Sequence, residues 1–134
     1  MSDRLPRGIL DTCTYIDMTG IGPTRLPVVP ELTAITVAEL QQGVAMARDP
    51  AARAARTERL GNAVADFEPL PFDAGAAARY GTLVSLVLAT GRDPRPRKLN
   101  LMIGAIASAH GLPLFTRNAD DFKGMESALT VIAV

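Results

Sequence analysis

Length, composition and charge limit this chain to an ordinary folded domain. The sequence has 134 residues, of which 48% are hydrophobic, and this excludes a disordered chain. Fourteen basic residues balance fourteen acidic ones, so no overall positive field attracts nucleic acid, and any such contact must come from a local patch. The single cysteine, Cys13, excludes an intramolecular disulfide and a cysteine-rich zinc site.

The sequence shows no pattern for export or for a membrane span. Its first residues carry too short an apolar run for a signal peptide, and no stretch approaches the roughly 20 apolar residues that cross a bilayer. We therefore expect one soluble, cytoplasmic domain over residues 1–134.

Strand and helix patterns alternate through the first part of the chain. Residues 8–10 predict a short strand, which a short helix follows up to Met18. Glycines and prolines over residues 20–30 predict a surface loop. Residues 32–36 are rich in strand-forming side chains and precede a helical stripe, so a second strand and helix are expected there.

The middle of the chain is predominantly helical by its pattern. After an Asp-Pro pair, a helical pattern resumes over residues 51–65, which predicts a helical hairpin. Residues 67–72 are a short strand candidate interrupted by prolines. Asp73 is placed to cap a long, alanine-rich helix that Gly91 ends.

The last part of the chain completes an α/β pattern. A basic, proline-rich connector over residues 92–98 precedes a helix that runs to His110, and residues 112–115 and 131–134 predict the last strands. Strands that alternate with helices favour a parallel sheet covered by helices on both faces, a three-layer α/β/α sandwich with about four to five strands.

Polar side chains follow the predicted strands at one edge of this sheet. Asp11 follows the first strand, Glu39 follows the second, and Asn118 and Asp121 follow the strand at 112–115. Asn100 lies in the first turn of the helix that returns to that strand. Because the carboxyl ends of parallel strands gather along one edge, we expect three carboxylates and an amide oxygen to converge there.

Each of these side chains also has an ordinary structural interpretation. Asp11 could be a helix N-cap, and Glu39 completes a capping box with the threonine three residues earlier. Asn118 could cap a helix whose first turn contains Asp121, and Asn100 could be a surface residue. Taken singly these interpretations are favoured, but several like charges in one crevice repel one another unless a cation neutralises them.

The predicted donor set indicates the kind of cation and the kind of chemistry. Carboxylate and amide oxygens are hard ligands, which favour magnesium or manganese over zinc. Such an ion lowers the pKa of a bound water and stabilises the charge that develops on a phosphodiester. The sequence therefore favours metal-assisted phosphodiester hydrolysis.

Four segments resemble, in order and over nearly the whole chain, the motifs of PIN-domain ribonuclease toxins of the VapC type. They are LDTC at 10–13, ITVAELQQG at 35–43, LMIGAIA at 101–107 and HGLPLFTRNADDF at 110–122. The resemblance implies a PIN-like fold and a magnesium- or manganese-dependent endoribonuclease that acts on RNA such as tRNA or rRNA. It also implies a homodimer and a cognate VapB-type antitoxin that blocks the active site.

The resemblance also implies roles for individual residues. Asp11 matches the family's first acid and would be a metal ligand, Glu39 would orient the metal or its water, and Asp121 would complete the acidic set. Supporting polar groups would come from Thr12, Thr116 and Asn118.

Asn100 is the position at which the chain departs from the family pattern. The family usually has an aspartate there that binds the metal, whereas an asparagine oxygen can coordinate but brings no charge. The alternative function is therefore a catalytically weakened PIN module that binds antitoxin or RNA without appreciable hydrolysis.

Basic residues near the predicted crevice are candidates for RNA contacts, although a solvated loop explains those of the connector equally well. The candidates are Arg92, Arg95, Arg97, Lys98 and Arg117. The arginines at 53, 56 and 59 are interpreted as an exposed helix face, and the apolar surface of the hairpin at 37–65 as a groove for the antitoxin. A receiver-like phosphoacceptor domain would also place acids at a sheet edge, but the acidic pair and the lysine that it needs are not clear.

Overall fold

A computed structural model of the chain describes residues 4–134. The α-helices are α1 (Thr12–Ile16), α2 (Ala34–Ala45), α3 (Pro50–Asp66), α4 (Ala74–Ala89) and α5 (Lys98–His110). The strands are β1 (Arg7–Leu10), β2 (Val29–Glu31), β3 (Leu114–Thr116) and β4 (Val131–Ala133).

The strands of the described chain form one parallel sheet of four strands in the order β2-β1-β3-β4. In the centre of the sheet, Ile9 is the partner of Leu114 and Leu10 is the partner of Phe115. The predicted α/β class, with a parallel sheet at the lower end of the expected strand number, is confirmed.

The two faces of the sheet carry two separate hydrophobic clusters. Ile9 and Leu114 pack with apolar side chains of α4 and α5, whereas Leu10 and Phe115 pack with side chains of α1, α2 and α3, among them Leu40. Neighbouring residues of a strand point to opposite faces, so each central strand contributes to both clusters. The predicted three-layer arrangement is therefore confirmed.

The second strand does not lie at its predicted position. β2 precedes residues 32–36, and the Thr33 side chain accepts a hydrogen bond from the Thr36 N–H at 3.2 Å to cap α2. Threonine favours a cap as well as a strand, and the cap is formed here. Pro30 is tolerated in β2 because this edge strand pairs on one side only.

The strand predicted over residues 67–72 was also wrong. Leu70 forms an isolated bridge with Thr33, and its N–H donates to the Leu32 carbonyl at 3.0 Å. Pro69 and Pro71 on either side have no N–H to donate, so the pairing cannot extend into a strand.

The predicted helices and their ends are largely confirmed. α2 and α3 form the hairpin, and the Asp49 side chain caps α3 by accepting from the Ala52 N–H at 2.8 Å. Asp73 caps α4, and Gly111 ends α5 in a left-handed conformation with φ of 64°. No helix in the described part of the chain is long and apolar enough to cross a membrane.

Candidate active site

Asp11 follows β1 directly and is held by both the first helix and the neighbouring strand. Its side chain is buried, with 4% exposed. One carboxylate oxygen accepts the Thr14 N–H at 3.0 Å, and the other accepts the Thr116 hydroxyl at 2.5 Å. The N-cap interpretation of Asp11 is therefore confirmed, and the same bonds fix a carboxylate at the carboxyl edge of the central strands.

Two buried threonines connect Asp11 to the loop that follows β3. The Thr116 hydroxyl oxygen accepts the Asn118 N–H at 2.9 Å, and the Thr14 hydroxyl oxygen accepts the Arg117 N–H at 3.1 Å. Thr14 was not among the predicted site residues, although its spacing of three residues after a capping aspartate identifies it as the residue that donates to the cap.

Glu39 reaches from α2 to α1 instead of capping its own helix. Its Oε1 accepts a hydrogen bond from the Thr12 hydroxyl at 2.8 Å, and that hydroxyl lies 3.0 Å from the Thr36 hydroxyl. The capping box predicted for Glu39 is wrong because Thr33 is the N-cap of α2. Thr36, predicted as the cap in that box, is instead buried beside Thr12, because α2 packs against α1.

Asn100 and Asp121 lie next to each other, although 21 positions separate them in the sequence. Asn100 is in the first turn of α5, and its amide nitrogen donates to Asp121 Oδ2 at 3.4 Å. Asp121 belongs to a 3₁₀ turn, Ala119–Phe122, and its N–H donates to the Asn118 carbonyl at 3.0 Å. Asn118 stands at the N-cap of this turn, but its side chain forms no capping bond.

The pKa of the Cys13 thiol, which is partly buried on an exposed residue, is affected by all three predicted acids. Burial raises its pKa above the ordinary value, and the negative charges of Asp11, Glu39, Asp17 and Asp121 raise it further. Carboxylates on three different elements therefore act on one point, and the potential around Cys13 is negative.

The predicted ligands Asp11, Asn100 and Asp121 carry the oxygen atoms that a hard cation prefers. Within residues 4–134 no three side chains of His, Cys, Asp or Glu are grouped so that they could hold a metal ion. The oxygens of Asp11 and Asp121 with the amide oxygen of Asn100 supply two negative charges and no nitrogen or sulfur. Magnesium and manganese are held by few protein oxygens and retain several waters, so these three residues suit such an ion.

The basic residues predicted to contact RNA have different surroundings. Arg92 donates to the Asp120 carbonyl at 2.6 Å and pairs with the Asp120 carboxylate at 2.9 Å. Three further arginines are engaged in the protein: Arg95 with the Asp93 carboxylate, Arg97 with the Asp93 carbonyl and Arg117 with Asp17.

Lys98 borders a crevice of about 410 Å³ that is also lined by Glu39, Arg95 and Asn100. We call it the α5 crevice.

A second crevice of about 410 Å³ lies between α2 and α3 and is lined by Thr12, Glu39, Arg56 and Arg59, among others. We call it the α3 crevice. Its two arginines were interpreted from the sequence as a merely exposed face. Their spacing of three residues places them on one side of α3, but the sequence does not show which element that side meets.

Comparison with solved structures identifies the family. The toxin–antitoxin complex VapBC-5 of Mycobacterium tuberculosis, a member of the VapBC family, contains a chain 33% identical to this one, with 96% of this chain and 99% of that chain covered and a TM-score of 0.81. The chain belongs to the VapBC family. Within it, this chain is a PIN-domain protein of the VapC type.

More distant structures share the VapC fold. A chain of FitAcB from Neisseria gonorrhoeae is 26% identical, with 92% of this chain and 95% of that chain covered and a TM-score of 0.71. A chain of VapBC2 from Rickettsia felis, solved with a promoter DNA fragment, is 20% identical, with 96% and 98% covered and a TM-score of 0.72. No family sequence model and no curated protein sequence matches this chain.

Proposed function

We propose that this VapC-type chain is a metal-dependent endoribonuclease and the toxin of a type II toxin–antitoxin pair. The observation that carries the proposal is the buried carboxylate of Asp11, fixed by two hydrogen bonds at the sheet edge. Burying a charged carboxylate is costly, and a position held this firmly serves a bound cation well.

Asp11, Asp121 and Asn100 would hold a magnesium or manganese ion through their oxygens. When bound, such a cation lowers the pKa of a coordinated water and stabilises the negative charge that develops on the phosphodiester. Glu39, which Thr12 holds in place at 2.8 Å, would orient the attacking water and take up its proton. Thr116 would keep the Asp11 carboxylate oriented.

The proposal is tested by incubating folded tRNA or rRNA with the protein and manganese, with and without EDTA. We expect the parent to cleave only with manganese, and Asp11→Ala to lose about 10²–10⁴-fold in rate. The matched control is Asp17→Ala, which removes an exposed carboxylate at the other end of α1. Because Asp11 also caps α1, thermal melting must show that Asp11→Ala is folded. Undiminished cleavage by the folded variant would exclude the assigned site.

Asn100 favours a second candidate, a PIN module that binds but hardly hydrolyses. Its amide nitrogen faces Asp121, where the family usually has a second metal-binding carboxylate. The variant Asn100→Asp separates the two functions. A ribonuclease cleaves RNA as the parent and faster as Asn100→Asp, whereas a binding module cleaves only after the substitution.

We further propose that a VapB-type antitoxin is the partner, that the toxin forms a homodimer, and that both act in the cytoplasm. The support is that the chain matches chains of solved VapBC complexes over nearly its full length. The apolar surface of the α2–α3 hairpin would receive the antitoxin, and Met46 and Val64 are exposed there at 65% and 58%. Light scattering with and without co-expressed antitoxin checks both the dimer and the complex.

A further inference from the structure

Glu39 lies between two crevices that both contain positive charge. It lines the α3 crevice together with Arg56 and Arg59, and it lines the α5 crevice together with Arg95 and Lys98. Cations therefore line both of the crevices that the Glu39 side chain borders.

Arg59 is the half-buried member of these four cations. Within residues 4–134 its guanidinium forms no ion pair and no hydrogen bond. Its backbone carbonyl accepts the Tyr15 hydroxyl at 3.3 Å. Burial raises the pKa of Tyr15, and the positive charge of Arg59 lowers it by a smaller amount. The guanidinium lies beside the crevice without a hydrogen-bond partner from the described protein, so all of its N–H groups are available to an anionic ligand.

Arg56 shares this crevice but also has a structural contact. One guanidinium nitrogen donates to the Gly43 carbonyl at 2.7 Å, which holds α3 against α2. This bond fixes the side chain at the mouth of the crevice and leaves its other N–H groups for a ligand. Arg53, one turn earlier on the same helix, donates to the Ala47 carbonyl and does not line the crevice.

We propose that the α3 crevice binds the backbone phosphate of a single-stranded RNA segment on one side of the scissile bond. The α5 crevice, with Lys98, takes the segment on the other side, so the strand crosses Glu39. The proposal rests on the proposed ribonuclease function and adds to it the path of the substrate and the requirement for an unpaired segment.

The size and the lining of the α3 crevice support a phosphate contact with a single strand. A space of about 410 Å³ is in the range of a small-ligand pocket, which a duplex cannot enter. No aromatic ring is among the described side chains that line it, so bases have no stacking surface. Phosphate contacts position a strand without reading its sequence, so this crevice contributes affinity and little base preference.

The test measures binding without cleavage. A fluorescent single-stranded RNA octamer is titrated with the full chain in EDTA, and its anisotropy is followed at several salt concentrations. We expect Arg59→Gln to weaken binding about three- to tenfold and to reduce the slope of log K against log salt by about 0.7, the value for one phosphate contact with a single strand. Arg53→Gln is the matched control and should change neither quantity, and Arg59→Lys should keep the slope.

Cleavage with manganese then separates this proposal from the proposed function. We expect Arg59→Gln to raise KM and leave kcat close to the parent value. If the parent binds through Arg59 but never cleaves, the ribonuclease proposal fails and the RNA path remains. If the parent cleaves and Arg59→Gln matches Arg53→Gln in affinity, slope and KM, the RNA path is overturned. If Arg59→Gln weakens binding of the antitoxin but leaves RNA binding unchanged, the RNA path is also overturned. It is overturned as well if the parent protein binds no RNA.

Discussion

The guanidinium of Arg92 makes two bonds to the residue next to Asp121. It contacts both the carbonyl and the carboxylate of Asp120, and so ties the end of α4 to the 3₁₀ turn that carries Asp121. An ion pair this exposed adds only about 0–1 kcal/mol to stability. We therefore expect this contact to act mainly on the position of the neighbouring Asp121.

We predict that Arg92→Ala lowers the affinity for manganese about tenfold, because groups that orient metal ligands have effects of this size. Calorimetric titration with manganese measures it, and Arg79→Ala, an exposed arginine on α4, is the control. Arg92→Lys should restore part of the affinity, since lysine can still pair with Asp120. Equal affinities for parent and Arg92→Ala would show that the turn needs no such support.

The thiol of Cys13 provides a pH-dependent measure of the potential at the site. Burial and the nearby carboxylates disfavour the thiolate, so the pKa lies above the ordinary value and alkylation by iodoacetamide requires a higher pH than for a free cysteine. Removing a negative charge lowers this pKa. We therefore expect Glu39→Gln to accelerate alkylation at a fixed pH, whereas the remote Asp49→Asn should not. Since Cys13 is the only cysteine, mass spectrometry of the whole chain gives the rate.

At the scale of the elements, the Phe115 side chain of β3 occupies the space that a Cβ atom on Gly8 of β1 would need. A Cβ atom at this position would lie 2.4 Å from Cε1 of Phe115, and the Phe115 ring is buried between the sheet and the helices. We predict that Gly8→Ala destabilises the fold by about 1–3 kcal/mol through overpacking.

Gly61 provides the matched control for Gly8. It lies exposed in α3 with no atom within 4 Å of an added Cβ, so Gly61→Ala should stabilise the protein by about 0.5–1 kcal/mol. Denaturant unfolding of both variants gives the two values. A stabilising Gly8→Ala would mean that Phe115 moves aside without cost.

The helices could be predicted from the local sequence more accurately than the strands. Asp73 and Gly111 act within a few residues of the helix ends that they mark, so their effect is readable from the sequence. β2 instead depends on pairing with β1, while the strand-forming residues after it were used for the cap at Thr33. Pairing partners far apart in the sequence are not readable from a single segment.

Some residues of the candidate site could likewise be predicted from the sequence, and others could not. The positions of Asp11, Asn100 and Asp121 follow from a general rule about the edge of a parallel sheet, and the structure brings Asn100 and Asp121 into contact. Thr36 and Arg59 could not be found in this way. Their place at the site depends on the packing of α2 and α3 against α1, which a helical pattern alone does not specify.

At the scale of the whole molecule, equal numbers of acidic and basic residues hide an uneven distribution. Asp11, Glu39 and Asp121 act together on one point at the sheet edge, whereas the surrounding cations lie in the flanking crevices. Carboxylates at one edge repel one another, so we expect this edge to be less stable without a cation than with one.

We therefore predict that manganese raises the free energy of unfolding by about 2.7 kcal/mol at a hundredfold excess over its Kd, and that EDTA reverses the gain. Asp121→Asn should abolish the gain, because a ligand charge is lost. In EDTA, however, the same variant should be as stable as the parent or more so, since it removes a repelling charge and keeps a polar group beside Asn100. Asp17→Asn should retain the response to manganese. Denaturant unfolding of the three proteins with and without the metal tests these expectations. An Asp121→Asn variant that is less stable in EDTA would show that Asp121 supports the fold and does not oppose it.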